Sequence, residues 1–265
     1  MTTSFETVTS ADGTPIAFER TGEGTPVILT GGAFNDRTTV AGLAATLAPE
    51  HTVIAYDRRG RGDSGAGAVY SVEREVEDLA ALIEHVGGSA AVFGHSSGAV
   101  LGLEAAARGV AMTKLAVYEP PYVVDDSRER PEADLFDRVR ALIADGDRDG
   151  AVELFLVEGT ATPEEVVKGM RDDPFWAWFT GLAHTLPYDL ALCGPGNVLP
   201  AERLAKIPVP TLVIDGGESD AWMRAGTRAV VDTVPGARYA TVEGQDHGVL
   251  HQPDTLRDLL TGFFR

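Results

Sequence analysis

Short runs of apolar residues, each followed by a helix-like segment, are the feature that most limits how this chain can fold. Runs of this kind are typical of strands that are buried on both faces of a sheet. A strand, a helix and a second strand in succession form a crossover connection, which makes the two strands parallel. The five runs lie at residues 27–29, 53–56, 90–93, 115–118 and 212–214.

Further strands are indicated at both ends of the chain. Residues 5–9 and 16–20 alternate in polarity around turn-forming residues at 11–15, which predicts an antiparallel hairpin at the sheet edge. Another strand-like run spans residues 238–242. The sequence therefore predicts an α/β fold with a mostly parallel, eight-stranded sheet and helices on both faces. The predicted helices span residues 38–47, 71–86, 99–108, 222–233 and 253–264.

The alternation of strand and helix stops in the stretch 124–205. Charged residues come first, helix-like segments follow at 133–143 and 163–170, and an aromatic group lies at 175–179. A long insertion without a strand predicts a mostly helical cap over one end of the sheet, inserted after the sixth strand. The predicted domains are an α/β core of residues 1–123 and 206–265 and a cap of residues 124–205.

The charge of the chain limits its partners. Acidic residues outnumber basic ones by 40 to 22, which gives a formal net charge of −18. Such a field repels phosphate backbones and anionic lipids, so we expect no nucleic acid and no membrane partner. The N-terminus has no leader-like segment, and the only cysteine, Cys193, can form neither an intramolecular disulfide nor a metal cluster. We expect a cytoplasmic monomer or homodimer that acts on a small molecule.

One turn in the sequence indicates a catalytic residue. Residues 94–98 read Gly-His-Ser-Ser-Gly and fit the pattern G-x-S-x-G. They lie between a strand-like run and a helix-like segment, which is the context that this pattern requires. In such a turn the serine is held in a strained conformation with its hydroxyl exposed, and the glycines avoid collisions. Ser96 is therefore the predicted nucleophile; the alternative is a glycine-rich phosphate turn or a plain loop.

With this turn and several other motifs in the same order, the chain resembles the α/β-hydrolase family over nearly its whole length. The resemblance implies a serine nucleophile, a histidine base and a carboxylate that orients the histidine, with no cofactor and no metal. It says far less about the substrate. The other motifs are Gly31-Gly32-Ala33 after the third strand, Asp57-Arg58-Arg59-Gly60-Arg61-Gly62-Asp63-Ser64 after the fourth, Gly217-Glu218-Ser219-Asp220 after the seventh, and Asp246-His247 near the end.

The resemblance also implies which histidine is the base. His247 follows the last predicted strand and a turn, at the place where the family carries its catalytic histidine. His251 lies in the same segment and is the alternative. His95 adjoins the serine, but as its neighbour in the turn it should point away.

For the acid, the resemblance implies Asp220, which follows the seventh strand where the family's carboxylate usually lies. Asp220 could also cap the next helix. Glu119, just beyond the sixth strand, is an alternative position for the acid in the family. Asp215 and Glu218 would serve only if the loop were read in a shifted register.

Two backbone N–H groups are expected to form an oxyanion hole, because acyl transfer places negative charge on the substrate oxygen. The resemblance implies Ser97 as one donor and Ala33 as the other, with Phe34 as second choice for the latter. The family often has His-Gly where this chain has Gly31-Gly32, which preserves backbone donors but alters the loop.

The three arginines of residues 57–64 could suggest anion binding. We predict a structural turn instead, with the arginines paired to local carboxylates.

A serine nucleophile argues against the family branches that use aspartate. We expect cleavage of a small, apolar carboxylic ester, lactone or thioester through an acyl-enzyme on Ser96. The alternatives are carbon–carbon bond hydrolysis, perhydrolysis, acyl transfer or cyclisation in a biosynthetic pathway, and a non-hydrolytic ligand receptor on the same fold. Aromatic side chains would line the pocket unless they pack inside the cap. The expected lining residues are Phe34, Trp176, Trp178, Phe179 and Trp222.

Overall fold

A computed structural model describes residues 5–265. Its framework is one sheet of eight strands in the order β1-β2-β4-β3-β5-β6-β7-β8. β1 pairs antiparallel with β2, β2 pairs antiparallel with β4, and the other neighbouring strands are parallel. The predicted α/β class and the hairpin at the sheet edge are confirmed. The strands are β1 (Glu6–Thr9), β2 (Pro15–Thr21), β3 (Thr25–Thr30), β4 (His51–Tyr56), β5 (Ala90–His95), β6 (Met112–Tyr118), β7 (Thr211–Gly216) and β8 (Arg238–Val242).

All five helices predicted for the core are present, with ends that differ by a few residues. The last one begins as a 3₁₀ turn at Pro253–Leu256 before it becomes α-helical. No helix within residues 5–265 is long and apolar enough to cross a membrane. The α-helices are α1 (Ala41–Leu47), α2 (Val72–His85), α3 (Ser97–Ala107), α4 (Leu135–Ala144), α5 (Arg148–Leu154), α6 (Glu164–Met170), α7 (Trp176–Leu182), α8 (Leu186–Cys193), α9 (Ala201–Leu204), α10 (Ala221–Thr233) and α11 (Arg257–Phe264).

The sheet is covered on both faces because its central strands are apolar on both faces. Consecutive strand residues point to opposite sides, so Val27 and Leu29 belong to one buried cluster and Ile28 to the other. Helices α1 and α11 cover the first face, and α2, α3 and α10 cover the second. This arrangement explains why the strand sequences are continuous apolar runs rather than alternating ones.

Between β6 and β7, residues 119–210 form helices α4 to α9 and no strand. We call this stretch the helical insertion. It has its own buried cluster, which includes Leu135 and Val152 and also takes in Phe34 from the loop after β3. Helices α4 and α6 correspond to the two helices predicted at 133–143 and 163–170, whereas α5, α7, α8 and α9 were not predicted. The cap limits at residues 124 and 205 stay a prediction.

Helix α3 runs directly against β3, and this close approach depends on Gly98. A Cβ atom at Gly98 would lie 2.5 Å from the carbonyl oxygen of Thr30 and 2.6 Å from that of Gly31. Both of those atoms belong to the backbone, so neither can move away without shifting β3 or its following loop. Only glycine fits at this point.

We expect Gly98→Ala to lower the free energy of unfolding by about 1–3 kcal/mol, because the added methyl group overpacks a backbone contact. Gly262→Ala is the matched control. Gly262 is exposed in α11, and the space that a Cβ atom would occupy there is open, so alanine should raise the free energy of unfolding by about 0.5–1 kcal/mol. Urea unfolding of both variants measures the two changes. Equal effects would contradict the steric role of Gly98.

Candidate active site

Ser96 lies at the sharp turn between β5 and α3. Its backbone has φ 57° and ψ −125°, a region that residues with side chains rarely occupy. The turn needs glycines around it, because a Cβ at Gly94 would collide with the carbonyl oxygen of Gly98. A Cβ at Gly32 would lie 2.6 Å from the Cβ of Ser96. The serine is thus held at a crowded, strained position, and its side chain faces a cavity.

His247 lies in the loop after β8 and lines the same cavity as Ser96. Its Nδ1 is 2.7 Å from Oε2 of Glu119. A carboxylate accepts hydrogen bonds, so the neutral ring carries its proton on Nδ1 and leaves Nε2 free to accept one. Within residues 5–265, no hydrogen bond joins Ser96 to His247, and such bonds are often long in ligand-free sites.

Glu119 fixes the orientation of the His247 ring. It follows β6 directly, is fully buried and has φ 47°. Its Oε1 accepts a hydrogen bond of 2.8 Å from the backbone N–H of Gly216, and its own N–H donates to the carbonyl of Ile214 at 3.0 Å. The carboxylate is therefore fixed between the ends of β6 and β7, with Oε2 directed to the ring of His247.

The expectation that Asp220 is the acid is wrong in this structure. Asp220 is exposed at the start of α10 and makes no hydrogen bond with His247. Its side chain does not cap α10 either. Glu119, at the end of β6, contacts the ring of His247 instead. β6 lies next to β5, the strand that leads to Ser96, whereas Asp220 follows β7, one strand further away. The signal in the sequence is a glutamate directly after a buried strand, the alternative position for the acid.

Asp215 does not contact the histidine. It is fully buried in β7, where it accepts a hydrogen bond of 2.6 Å from the hydroxyl of Tyr239. His251 lines the cavity but does not replace His247 at Glu119.

Within residues 5–265, His95 makes no hydrogen bond to Ser96 and instead supports the loop that carries His247. Its Nε2 is 2.9 Å from the carbonyl oxygen of His247. A carbonyl only accepts, so Nε2 of His95 carries the proton and Nδ1 is unprotonated. Burial, with smaller contributions from His247 and His251, lowers the pKa of His95 to about 3. The ring is therefore neutral across the physiological range.

The loop after β3 forms a tight turn beside Ser96. The N–H of Asn35 donates to the carbonyl of Gly32 at 3.3 Å, and the N–H of Gly32 donates to Oδ1 of Asn35 at 2.9 Å. Phe34 has φ 57° at the third position of this turn. Within the described part of the chain, the N–H groups of Ala33, Phe34 and Ser97 donate to no protein acceptor. Ala33 and Ser97 both line the cavity, so the loop and the start of α3 offer two backbone donors near Ser96.

The three arginines of residues 57–64 are fully buried and paired with carboxylates, which confirms the prediction of a structural turn. Arg58 contacts Glu75, and Arg59 contacts Asp78. Arg61 pairs with Asp189, which belongs to the helical insertion and was not predicted from the sequence.

The cavity at Ser96 has a volume of about 710 Å³ and a mainly apolar lining. Four of the aromatic residues expected to line it do so: Phe34, Trp178, Phe179 and Trp222. Trp178 also donates from Nε1 to the carbonyl of Phe34 at 2.8 Å, which ties α7 to the loop after β3. No pattern in the sequence pointed to Phe155 and Leu156, which line the cavity from the turn after α5.

Trp176 does not line the cavity, so that expectation is wrong. Its side chain is buried inside the insertion, and its Nε1 donates to Asp149 at 2.6 Å. Trp176 and Trp178 are two positions apart on α7, which places them on opposite sides of the helix. Only one of the two can therefore face the cavity.

Known proteins share both the sequence and the fold. The model of the alpha/beta hydrolase family matches residues 27–259. The structure is similar to an alpha/beta hydrolase from Sphaerobacter thermophilus, with 53% identity over 98% of this chain and 100% of that one, and a TM-score of 0.92. It is also similar to a thermophilic esterase from Thermogutta terrifontis, with 25% identity over 99% and 100% of the two chains and a TM-score of 0.73. A putative carbamate hydrolase, RutD of Azorhizobium caulinodans, is 28% identical over 93% of each chain.

The buried His95 predicts a pH dependence of stability. Its pKa is about 3 in the folded chain against an ordinary value of 6.5, so the unfolded chain binds one more proton between these values. The free energy of unfolding should fall as the pH falls through this window, with a slope from His95 of up to about 1.4 kcal/mol per pH unit. In His95→Gln the slope should be shallower by that amount, measured by urea unfolding at several pH values. The same carboxylates titrate in both proteins, so the difference between the two slopes reports on His95. Identical slopes would contradict a neutral, buried His95.

Proposed function

Because the chain belongs to the alpha/beta hydrolase family, we propose that it is a serine hydrolase that cleaves small, uncharged carboxylic esters, lactones or thioesters through an acyl-enzyme on Ser96. One observation carries the proposal. The ring of His247 is oriented by the buried Glu119 at 2.7 Å, and it lines the same cavity as a serine on a strained turn.

In this reaction, Oγ of Ser96 attacks the carbonyl carbon of the substrate, and Nε2 of His247 takes the hydroxyl proton. Glu119 stabilises the imidazolium that forms. The tetrahedral intermediate then expels the alcohol or thiol, which receives the proton from His247. Water, deprotonated by the same histidine, attacks the acyl-enzyme, and the acid is released with Ser96 restored.

The negative charge on the tetrahedral intermediate needs fixed donors. We assign this role to the backbone N–H groups of Ala33 and Ser97, which line the same cavity as Ser96 and donate to no protein acceptor within residues 5–265. Donors that are already oriented need no reorganisation when the charge develops, which is where their catalytic effect comes from.

The cavity lining supports an uncharged, apolar substrate. It contains no lysine or arginine within the described residues, and its one carboxylate, Asp189, is already paired with arginines. No lysine or arginine side chain in the described lining would therefore offset the cost of burying an anionic group of the substrate. The esterase and carbamate hydrolase relatives are consistent with acyl transfer at such a site.

Ser96→Ala tests the nucleophile. The wild-type chain should hydrolyse p-nitrophenyl butyrate and react covalently with a fluorophosphonate probe. The variant should lose the labelling and lose activity by at least about 10⁴-fold, because the attacking oxygen is gone. Ester turnover is followed by the release of p-nitrophenolate, and labelling by the mass of the intact protein. Activity that survives in Ser96→Ala would rule out an acyl-enzyme on this residue.

Glu119→Gln and Asp220→Asn test the acid as a matched pair. Replacing Glu119 removes the charge that stabilises the imidazolium and the acceptor that fixes its tautomer, so kcat should fall by roughly 10³- to 10⁴-fold. Asp220→Asn, at an exposed position without contact to His247, should leave kcat within about threefold of wild type. Both are measured with the same ester, and thermal unfolding confirms that each variant folds. The reverse order of effects would restore Asp220 as the acid.

A further inference from the structure

Asp189 lies on α8 of the helical insertion but is buried against the core beside the nucleophile. Only 1% of its surface is exposed. Its Oδ1 accepts hydrogen bonds from Oγ of Ser97 at 2.6 Å and from Nη1 of Arg58 at 2.8 Å. Nη2 of Arg61 lies 2.8 Å from both carboxylate oxygens. One carboxylate of the insertion thus holds three side chains of the core.

The two arginines connect Asp189 to the loop after β3 through hydrogen bonds. Nη1 of Arg61 donates to the carbonyl of Gly32 and, at 3.1 Å, to that of Asn35. Nη1 of Arg58 lies 3.4 Å from the carbonyl of Gly31. Arg61, which pairs with Asp189, therefore holds the carbonyls at both ends of the turn that contains Ala33, and Arg58 holds the carbonyl just before it.

The charge on Asp189 is part of this arrangement. Burial would raise the pKa of its carboxyl, but Arg61 and Arg58 outweigh that effect and hold the pKa below its usual range. Glu75 neutralises Arg58 on its other side at 2.6 and 2.7 Å. Arg61 has no second carboxylate in the described chain, so its position depends on Asp189.

We propose that Asp189 is a positioning residue that aligns the two backbone donors of the oxyanion hole. It acts on Ser97 through the hydroxyl of that residue and on Ala33 through Arg61. The inference rests on the serine hydrolase function proposed above. It makes α8 part of the catalytic framework rather than only a wall of the cavity.

Other contacts keep α8 and its preceding turn on the same loop of the core. Nε2 of His184 is 2.7 Å from the carbonyl of Gly60, and the rings of Tyr188 and Tyr70 stack at 3.9 Å. Neither of these two contacts reaches the turn at Ala33. Trp178 of α7 does reach this turn, since its Nε1 donates to the carbonyl of Phe34 at 2.8 Å. Among the described residues of the insertion, however, Asp189 is the one whose hydrogen bonds connect both to Ser97 and, through Arg61, to the turn at Ala33.

The experiment compares Asp189→Asn with Asp78→Asn. Asp78 is a matched control because it is 1% exposed and bonds Arg59 of the same loop at 2.8 and 2.7 Å, without contact to the turn at Ala33. Both variants lose one buried charge. Asp189→Asn should lower kcat for p-nitrophenyl butyrate by roughly 10- to 100-fold with KM within about threefold, as expected for displaced donors. Asp78→Asn should keep kcat within about threefold, even where its melting temperature falls.

The affinity for phenylboronic acid tests the oxyanion hole separately from protein stability. The compound adds to a serine hydroxyl and places an oxygen where the oxyanion forms. Its Kd for Asp189→Asn should rise by the same factor by which kcat/KM falls, while the Ki of butyramide, which mimics the ground state, stays within about threefold. Ser97→Ala keeps the backbone donor and removes the hydroxyl, which donates to Asp189 at 2.6 Å and accepts from Nη1 of Arg58 at 3.1 Å. It should show a smaller change in the same direction, which keeps the test valid should Asp189→Asn fail to fold.

Three results would overturn the inference. The first is an unchanged kcat and boronate Kd in the folded Asp189→Asn or, where that variant does not fold, in Ser97→Ala. The second is an equal loss of kcat in the Asp78→Asn control. The third is a wild-type chain that neither hydrolyses the ester nor binds the boronate. That last result is distinct, because it removes the proposed function itself along with the inference.

Discussion

The close backbone contact between the start of α3 and the end of β3 is the constraint on which the site depends. Glycines at positions 32 and 98 allow the two segments to touch at a distance that no side chain would permit, and Gly94 allows β5 to turn tightly into α3. The contact forces Ser96 into its strained conformation and brings the turn after β3 beside it. Nucleophile and candidate oxyanion donors are thus placed by one steric arrangement, before any polar interaction is formed.

Polar interactions then select among the side chains that meet at this end of the sheet. Glu119, buried between two strand ends, orients His247, while a second buried carboxylate, Asp189, joins the insertion to the core. Both are fully desolvated, so each must be matched by donors, and each is. The backbone thus sets the shape of the site, and the two buried carboxylates, each held by hydrogen bonds, orient the side chains in it.

Much of the fold could be predicted because it is encoded in contiguous residues. The apolar run of β5, the turn at Ser96 and the helix α3 are each short stretches whose neighbours along the chain determine their conformation. The same is true of the N-terminal hairpin. Helices α5, α7, α8 and α9 were not predicted because they have eight residues or fewer and pack inside the insertion or against the core, so they depend on tertiary contacts.

The sequence by itself determined the sheet, the nucleophile turn and the serine on it, because these depend on local backbone conformation and on the pattern of apolar residues. Only the tertiary structure decided that Glu119 rather than Asp220 meets His247, and that Trp178 rather than Trp176 faces the cavity. It also revealed Asp189 at Ser97, 92 positions away along the chain. Such pairings depend on which strand and helix ends meet in space, and two carboxylates that look equivalent in the sequence differ there by burial and distance.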